Sequence, residues 1–285
     1  MPIVESTQEI KPGKKLYFRR WETEQPQKGV VILIHGLGDH VCRYNHVGDF
    51  FNWAGYTLVG MDLPGHGQSY GKRGHAGFED IYPLITTMLK TESEAAPALP
   101  IFLYGHSMGG NITLNYILRF FPKIAGAIVT SPGIRPADPL PAPKRALARI
   151  MQRVYPSFVM GNGLDIDGLS RDPAIKPAYL NDPLVHAKVS AKLGWDIISK
   201  GEWLLEQARD LPIPILLLQG DADRLVDPKA TQAFAESIKK NLTYKLYDGF
   251  FHELHNEPEK ATILALMVEW MDRHRSIKND ESENQ

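Results

Sequence analysis

The chain has 285 residues, a formal net charge of −1 and a hydrophobic fraction of 43%. This length allows one large domain or two small ones, and the near-neutral charge gives no reason to expect a nucleic-acid partner. The single cysteine, Cys42, excludes an internal disulfide and is typical of a reducing compartment, so we expect a cytoplasmic protein. The first fifteen residues lack the apolar stretch of a signal peptide, and no apolar run is long enough to predict a membrane span.

The first half of the chain alternates apolar runs with segments of helical spacing. The β-branched run at residues 30–34 is typical of a strand buried on both faces of a parallel sheet. The other strands expected here are an early, partly exposed one at 16–21 and buried ones at 56–61, 101–104 and 125–130. The expected helices lie at 44–54, 78–93 and 112–121. This alternation predicts βαβ units in a right-handed parallel sheet, and hence an α/β fold.

The alternation stops at Ile134 and resumes at Ile213. The segment between has a proline-rich start and no clear buried strand, and we expect short helices there. The later elements are expected at 213–218 and 242–247 as strands and at 229–239 and 258–273 as helices. A helical insert of this kind is typical of a lid over the strand ends. We therefore expect an α/β core at 1–133 and 211–275, a helical cap at 134–210, and a fraying polar tail at 276–285.

A G-x-S-x-G pattern at residues 105–109 separates a predicted strand from a predicted helix. A strand that turns directly into a helix passes through a tight corner, and small residues beside Ser107 let the backbone make it. The N-terminus of the helix also directs its amides and its dipole at this point, where an anion would be stabilised. In this context the pattern predicts that Ser107 is a nucleophile, whereas a bare five-residue match would not.

A serine hydroxyl becomes a good nucleophile when a histidine accepts its proton and a carboxylate orients that histidine. After a strand–serine–helix corner, the acid precedes the histidine in the chain. Asp221, Asp223 and Asp227 all follow the strand at 213–218. We favour Asp223, because Asp221 is placed to bond the loop backbone and Asp227 is placed to cap the next helix.

Two histidines, His252 and His255, follow the last predicted strand. We favour His252 as the base because it is nearer the strand end, and we expect His255 to be a surface or helix-start residue. Asn256 and Pro258 are interpreted as the start of the last helix. No role beyond surface or local hydrogen bonding is expected for His40, His46, His75, His186 and His274.

Backbone N–H groups that face the developing oxyanion complete such a site. The N–H of Met108 directly follows the nucleophile, and the second donor is expected in the turn after an earlier strand. The turn at residues 35–38 fits this position, and we select the N–H of Leu37. Taken alone, this turn would be interpreted as an ordinary glycine turn.

The chain contains five motifs in the following order: HGLGDH at 35–40, DxxGHGxS at 62–69, GHSMGG at 105–110, GxxD at 220–223 and HExxNE at 252–257. Together they resemble the monoacylglycerol lipase and lysophospholipase branch of the α/β-hydrolase superfamily. The resemblance implies Ser107, Asp223 and His252 as nucleophile, acid and base, and the Leu37 and Met108 amides as oxyanion hole. It further implies that residues 134–210 cap an acyl-chain tunnel.

The activity implied is hydrolysis of a lipid ester, such as a monoacylglycerol or a lysophospholipid, through an acyl-enzyme on Ser107. No metal or organic cofactor is expected, since the sequence has no zinc-type cysteine and histidine spacing. Apolar residues of the cap, such as Phe158, Met160, Trp195 and Ile198, are candidates for substrate contact. We also expect the cap to touch membranes transiently, because monoacylglycerols partition there.

Other functions use the same fold and triad, among them short-chain carboxylesterases, proline-type aminopeptidases and cofactor-free perhydrolases. A haloalkane dehalogenase is disfavoured because its nucleophile would be an aspartate. A non-catalytic lipid- or hormone-binding protein would have no need of three intact triad residues.

Overall fold

A computed structural model describes residues 2–207 and 210–275, so the predicted tail at 276–285 lies outside the described residues. The strands, in chain order, are β1 (Ile3–Lys11), β2 (Lys14–Trp21), β3 (Gly29–Ile34), β4 (Tyr56–Met61), β5 (Ile101–His106), β6 (Gly126–Thr130), β7 (Val159–Gly161), β8 (Lys188–Ser190), β9 (Ile215–Gly220) and β10 (Leu242–Tyr247). The helices are α1 (Asn45–Trp53), α2 (Phe78–Ala95), α3 (Met108–Phe120), α4 (Ala142–Val154), α5 (Ile175–Asn181), α6 (Ala191–Glu206), α7 (Pro228–Glu236) and α8 (Lys260–His274).

Eight strands form one sheet in the order β1-β2-β4-β3-β5-β6-β9-β10. All neighbours from β4 to β10 run parallel, while β1 and β2 form an antiparallel edge. The predicted, mostly parallel α/β sheet is thus confirmed. Strand β1 was not expected from the sequence, because every one of its side chains is exposed and it carries no apolar run.

The two faces of the sheet are covered by different helices, which explains the continuous apolar runs of its central strands. Along β3, Val30, Ile32 and Ile34 join a cluster with α2, α3, α6 and α7. The alternate residues Val31 and Leu33 join a second cluster with α1 and α8. Because side chains alternate along a strand, each central strand contributes to both clusters.

Helices α4, α5 and α6 and the small antiparallel pair β7–β8 lie between β6 and β9 in the chain. In the described part of this segment, β7 and β8 have only three residues each, while α4 and α6 have 13 and 16 residues and are longer than the short helices expected. Helix α6 lies against α3, where the Asn111 amide donates to the Ile197 carbonyl over 2.9 Å. This segment therefore lies beside the helix that follows Ser107.

Within residues 2–207 and 210–275, no helix has the length and hydrophobicity needed to cross a bilayer.

Candidate active site

Ser107 occupies a sharp corner between β5 and α3. Its φ of 56° lies in the left-handed region, which costs energy for a residue with a side chain. The corner also leaves no room for side chains at the two glycines of the motif. A Cβ on Gly105 would lie 2.5 Å from the Gly109 carbonyl oxygen, and a Cβ on Gly109 would collide with the Ile34 carbonyl. The G-x-S-x-G spacing is therefore required by the crossing of α3 over β3 and β5.

The structure brings Ser107, His252 and Asp223 within hydrogen-bond reach of one another. Serine Oγ lies 2.9 Å from His252 Nε2, and Nδ1 of the same ring lies 2.8 Å from Asp223 Oδ2. The carboxylate can only accept, so Nδ1–H donates to it and Nε2 is free to accept the serine proton. These are the contacts by which a histidine activates a serine.

Three donors besides His252 hold the Asp223 carboxylate. The Gln219 amide donates to Oδ2 over 3.0 Å, and the backbone N–H groups of Leu225 and Val226 donate to Oδ1 over 2.8 and 3.1 Å. Thr231 in turn donates to the Gln219 side-chain oxygen over 3.1 Å. These donors satisfy the oxygens of the buried carboxylate and fix its orientation. Gln219 and Thr231 were not identified from the sequence, although Gln219 lies at the carboxyl end of β9.

Two opposing effects set the pKa of His252. Burial opposes the charged imidazolium, but the charge of Asp223 and its hydrogen bond outweigh burial and raise the pKa above the ordinary value for histidine. The neighbouring His106 ring lies 4.9 Å from that of His252, and burial together with the charge of His252 lowers its pKa well below the ordinary value. His106 is therefore neutral, and it places no second positive charge beside His252.

The His252 backbone is also anchored, by Ser131. This serine follows β6, has a φ of 44°, and donates its hydroxyl to the His252 carbonyl over 2.7 Å. Sequence reasoning missed Ser131, which directly follows the strand predicted at 125–130. Its position after β6 was the available signal, since functional residues of open α/β sheets collect at the carboxyl ends of strands.

The turn after β3 passes directly beside the nucleophile. A Cβ on Gly36, the residue before Leu37, would lie 3.3 Å from Cβ of Ser107. Met108 is the first residue of α3, and its N–H therefore has no carbonyl one turn back to bond. The role of the Leu37 and Met108 N–H groups as oxyanion donors stays a prediction.

A buried ionic cluster joins this turn to the histidine loop. The Arg43 guanidinium donates to both Glu253 carboxylate oxygens, over 2.9 and 2.8 Å, and to Asp39 Oδ1 over 2.9 Å. The Tyr44 hydroxyl donates to the other Asp39 oxygen over 2.9 Å. Burial opposes the ionised form of Asp39, but the charge of Arg43 holds its pKa far below the ordinary value. Glu253 directly follows His252, so the cluster fixes the two loops relative to each other.

The expectation that His255 is a surface or helix-start residue is wrong. Its side chain is fully buried, and its ring stacks on Tyr44 at 4.7 Å and meets His106 edge-on at 4.7 Å. Burial lowers the pKa of His255 well below the ordinary value, so the ring packs in the neutral form. Hydropathy patterns do not identify such a residue, because its burial depends on aromatic partners that are distant in sequence.

Of the other residues interpreted around the site, two aspartates have the predicted contacts, whereas Asn256 does not. Asp227 caps α7 and Asp221 accepts from the Gly249 N–H over 2.6 Å, as predicted. Asn256 is not a helix cap, because α8 begins at Lys260 and the Asn256 amide donates to Glu253 over 2.7 Å. Two of the histidines for which only a surface position or local hydrogen bonding was expected are buried and hydrogen-bonded: His40 bonds Asp182 over 2.8 Å, and His186 bonds the Gly65 carbonyl over 3.1 Å.

The four cap residues selected as substrate contacts lie in two places. Phe158 and Met160 are exposed, just before β7 and within it, whereas Trp195 and Ile198 are half-buried on α6. The role of all four as substrate contacts stays a prediction. Among the residues that the structure describes, no cluster of three or more histidine, cysteine, aspartate or glutamate side chains could hold a metal ion.

A parallel sheet with a serine at the β5–α3 corner, and with an aspartate and a histidine in the loops after β9 and β10, defines the α/β-hydrolase class. The model of the family described as serine aminopeptidase S33 matches residues 25–259. The monoacylglycerol lipase of Mycolicibacterium smegmatis is 31% identical over 265 residues, which cover 92% of this chain and 94% of the relative. The human monoglyceride lipase is 31% identical over 259 residues, covering 88% of this chain and 84% of that protein.

A solved structure shows the same similarity. The crystal structure of a monoacylglycerol lipase from Paleococcus ferrophilus superposes with a TM-score of 0.84 at 34% identity, covering 91% of this chain and 99% of that chain. The chain thus belongs to the serine aminopeptidase S33 family, in the monoacylglycerol lipase branch of the α/β-hydrolase superfamily, and is a serine ester hydrolase.

Proposed function

We propose that this protein hydrolyses monoacylglycerols to a free fatty acid and glycerol, with Ser107, His252 and Asp223 as its catalytic residues. The observation that carries the proposal is the continuous hydrogen-bonded path from Ser107 Oγ through the His252 ring to Asp223, in a chain similar to monoacylglycerol lipases. Lysophospholipids, which share the single acyl chain, are the neighbouring substrate class.

The reaction proceeds in two halves. Ser107 Oγ attacks the ester carbonyl carbon while His252 Nε2 takes the hydroxyl proton, and the Leu37 and Met108 N–H groups hold the resulting oxyanion. His252 then gives that proton to the departing glycerol oxygen, which leaves an acyl-enzyme on Ser107. A water deprotonated by His252 attacks this ester and releases the fatty acid, and the proton returns to Ser107. Asp223 stabilises the imidazolium in both halves.

Residues 134–210 are proposed to cap this site and to shield the acyl chain from water. Their packing supports this role, since α6 lies along α3 and bonds it at Asn111. Trp195 and Ile198 extend from α6 as candidate acyl-chain contacts, and Phe158 and Met160 are candidates nearer the surface.

We further propose that α4 rests on lipid surfaces while the enzyme takes up substrate. None of its 13 residues is buried, and Leu147, Ile150 and Val154 form one exposed apolar face at helical spacing. Lys144 and Arg153 lie at the two edges of this face at helical spacing, and no acidic residue lies in the helix. Apolar side chains that enter the interface beneath a rim of cations are typical of helices that lie on membranes.

Covalent labelling tests the catalytic proposal. We expect a fluorophosphonate probe to label the wild-type protein and not Ser107→Ala, since only an activated serine reacts. In an ester series, hydrolysis should rise from acetyl to long-chain monoacylglycerols, and proline arylamides should remain uncleaved. An unlabelled wild type would support a binding protein, while labelling with proline-arylamide cleavage would support an aminopeptidase.

Vesicle flotation tests the membrane proposal. The triple variant Leu147→Ser, Ile150→Ser, Val154→Ser should float with anionic vesicles at least ten-fold less than wild type, since each removed side chain forfeits roughly 1.5–3 kcal/mol of burial. Its hydrolysis of a water-soluble acetyl ester should not change. Trp53→Ser, which removes an exposed apolar residue from α1, is the control and should float like wild type. Equal flotation of the triple variant would exclude α4 as the contact.

A further inference from the structure

A short segment of the region between β6 and β9, residues 165–172, contacts both loops that carry the histidine and the aspartate. We call it the clasp. On the histidine side its backbone acts directly: the Gly168 carbonyl accepts from the His252 N–H over 3.3 Å, and the Leu169 carbonyl accepts from the Glu253 N–H over 2.7 Å. The Ser170 hydroxyl donates to the Asn256 carbonyl over 2.8 Å. Three successive residues of the clasp thus form hydrogen bonds to the histidine loop.

Glu257 closes the histidine loop from within. Its side chain is fully buried, and Oε1 accepts from the N–H of Phe251, the residue directly before His252, over 2.8 Å. One carboxylate therefore ties the end of the loop to its beginning. A buried carboxylate needs a compensating charge, because burial without a partner strongly disfavours the ionised form.

Arg171 of the clasp supplies that charge. Its Nε donates to Glu257 Oε2 over 2.7 Å, and its guanidinium stacks 4.2 Å from the centre of the Phe250 ring. A second, exposed partner is Glu259, which accepts from Nη2 of the same guanidinium. Arg171 thus contacts the residues on both sides of the histidine loop without touching His252 itself.

The clasp also touches the loop that carries the acid. Asp165 pairs with Arg224, the residue after Asp223, over 3.1 Å. Leu169 packs with Leu225 and Tyr179 in a small separate cluster, and a Cβ on Gly168 would lie 2.8 Å from the Leu225 side chain. The same eight residues thus set the position of both loops from which the aspartate and the histidine project.

We propose that Arg171 is a positioning residue for His252, acting through Glu257 to hold the histidine loop against the clasp. The proposal rests on the catalytic role proposed for His252. It gives the HExxNE motif a physical account: its first glutamate bonds Arg43 on the side of the β3 turn, and its second bonds Arg171 on the side of the clasp. The base is then held between two arginines from different parts of the chain.

The expected effect is on the chemical step. Reacting groups must lie within a narrow distance of each other, and a misplacement of about 1 Å can lower the rate about 100-fold. Arg171→Met keeps the aliphatic stem and removes the charge and the donors. We expect kcat for a water-soluble acetyl ester to fall ten- to 100-fold while KM stays within two-fold, because the ester does not contact Arg171. The rate of fluorophosphonate labelling should fall in parallel.

Two further variants separate positioning from general destabilisation. Glu259→Gln removes only the exposed partner of Arg171 and should retain the wild-type kcat. Arg171→Lys restores a cation within reach of Glu257 but not the planar fork, so its kcat should lie between those of Arg171→Met and wild type. All rates are measured at least 15 °C below the melting temperature of each variant, where each protein is folded.

The possible results have distinct meanings. A kcat that falls in Arg171→Met, is partly restored in Arg171→Lys and is unchanged in Glu259→Gln supports the proposal. An unchanged kcat in folded Arg171→Met overturns it, and so does a loss of the same size in Glu259→Gln. A wild-type protein that neither cleaves the ester nor reacts with the probe would instead refute the proposed function.

Discussion

Arg43 and Glu253 face each other through two parallel hydrogen bonds of 2.9 and 2.8 Å, and both side chains are almost completely buried. Arg43 lies in the 3-10 turn before α1, and Glu253 directly follows His252. Bidentate pairs of this kind fix orientation as well as distance. The pair therefore joins the chain that follows the β3 turn to the loop that carries the histidine.

Removing Arg43 should be strongly destabilising. In Arg43→Met, the Glu253 and Asp39 carboxylates would stay buried without their cation, and breaking a buried pair costs about 3–5 kcal/mol. Urea unfolding followed by tryptophan fluorescence measures the change. Lys90→Met is the control, because its pair with Glu94 is exposed and 3.8 Å long, so its effect should stay within about 0.5 kcal/mol. Equal effects of the two variants would contradict this account.

The pH dependence of the reaction should report the raised pKa of His252. The base acts only when neutral, so kcat/KM rises with pH as the imidazolium loses its proton. Because Asp223 raises that pKa, the midpoint of the acid limb should lie above the ordinary histidine value of about 6.5.

Asp223→Asn removes the charge that raises this pKa and leaves the effect of burial, so the midpoint should move to lower pH. The rate should also fall about 10⁴-fold, since the imidazole loses its orienting partner. The rate of fluorophosphonate labelling across pH is sensitive enough to follow it. Asp221→Asn is the matched control, because the Asp221 side chain accepts from the Gly249 N–H of the next loop, and losing its charge should not move the midpoint. A midpoint that is the same in wild type and Asp223→Asn would show that Asp223 does not set the pKa.

Patterns local in sequence predicted much of this molecule. Strands β4 and β10 have the bounds that their apolar runs indicated, and the loops after β9 and β10 bring Asp223 and His252 to Ser107 as their order in the chain suggested. Parallel strands end at one edge of a sheet, so residues after successive strands meet even when they are distant in sequence.

What the sequence did not reveal depends on contacts between distant polar residues. Glu257 was interpreted only as part of a helix start, yet it is fully buried because Arg171, 86 positions earlier, compensates its charge. His255 is buried for a similar reason, since Tyr44 and His106 enclose its ring. Hydropathy assigns such side chains to the surface, because their burial requires partners that only the folded chain supplies.

The pair of His40 and Asp182 should make stability depend on pH. Burial opposes the charged form of His40, but the neighbouring Cys42, Asp39 and Asp182 side chains favour it and raise the pKa to about 9. A folded-state pKa above the unfolded value of about 6.5 stabilises the protein fully below pH 6.5, and this stabilisation is lost as the pH rises through 9.

Asp182→Asn should therefore be less stable than wild type at pH 6, and the difference should shrink towards pH 9.5. The variant keeps the side-chain oxygen that accepts from the Leu184 N–H, so that the local turn is preserved. Melting temperatures of both proteins at several pH values give the comparison. A difference that is constant with pH would show that His40 is not charged in the folded protein.

Gly109→Ala should strongly lower activity, because the added Cβ would displace backbone atoms around the serine. A Cβ at this position would collide with the Ile34 carbonyl oxygen and lie 2.6 Å from that of His35, and neither backbone atom can rotate away. Helix α3 would have to move off β3, which displaces Ser107 and the Met108 N–H together. We expect kcat/KM to fall at least about 100-fold, together with a lower melting temperature.

Gly194→Ala is the matched control for Gly109→Ala. Gly194 lies within helix α6, and its Cβ would meet only the Val189 side chain, at an ordinary 3.5 Å. Because alanine is favoured over glycine inside a helix by about 1 kcal/mol, this variant should be as active as wild type and at least as stable.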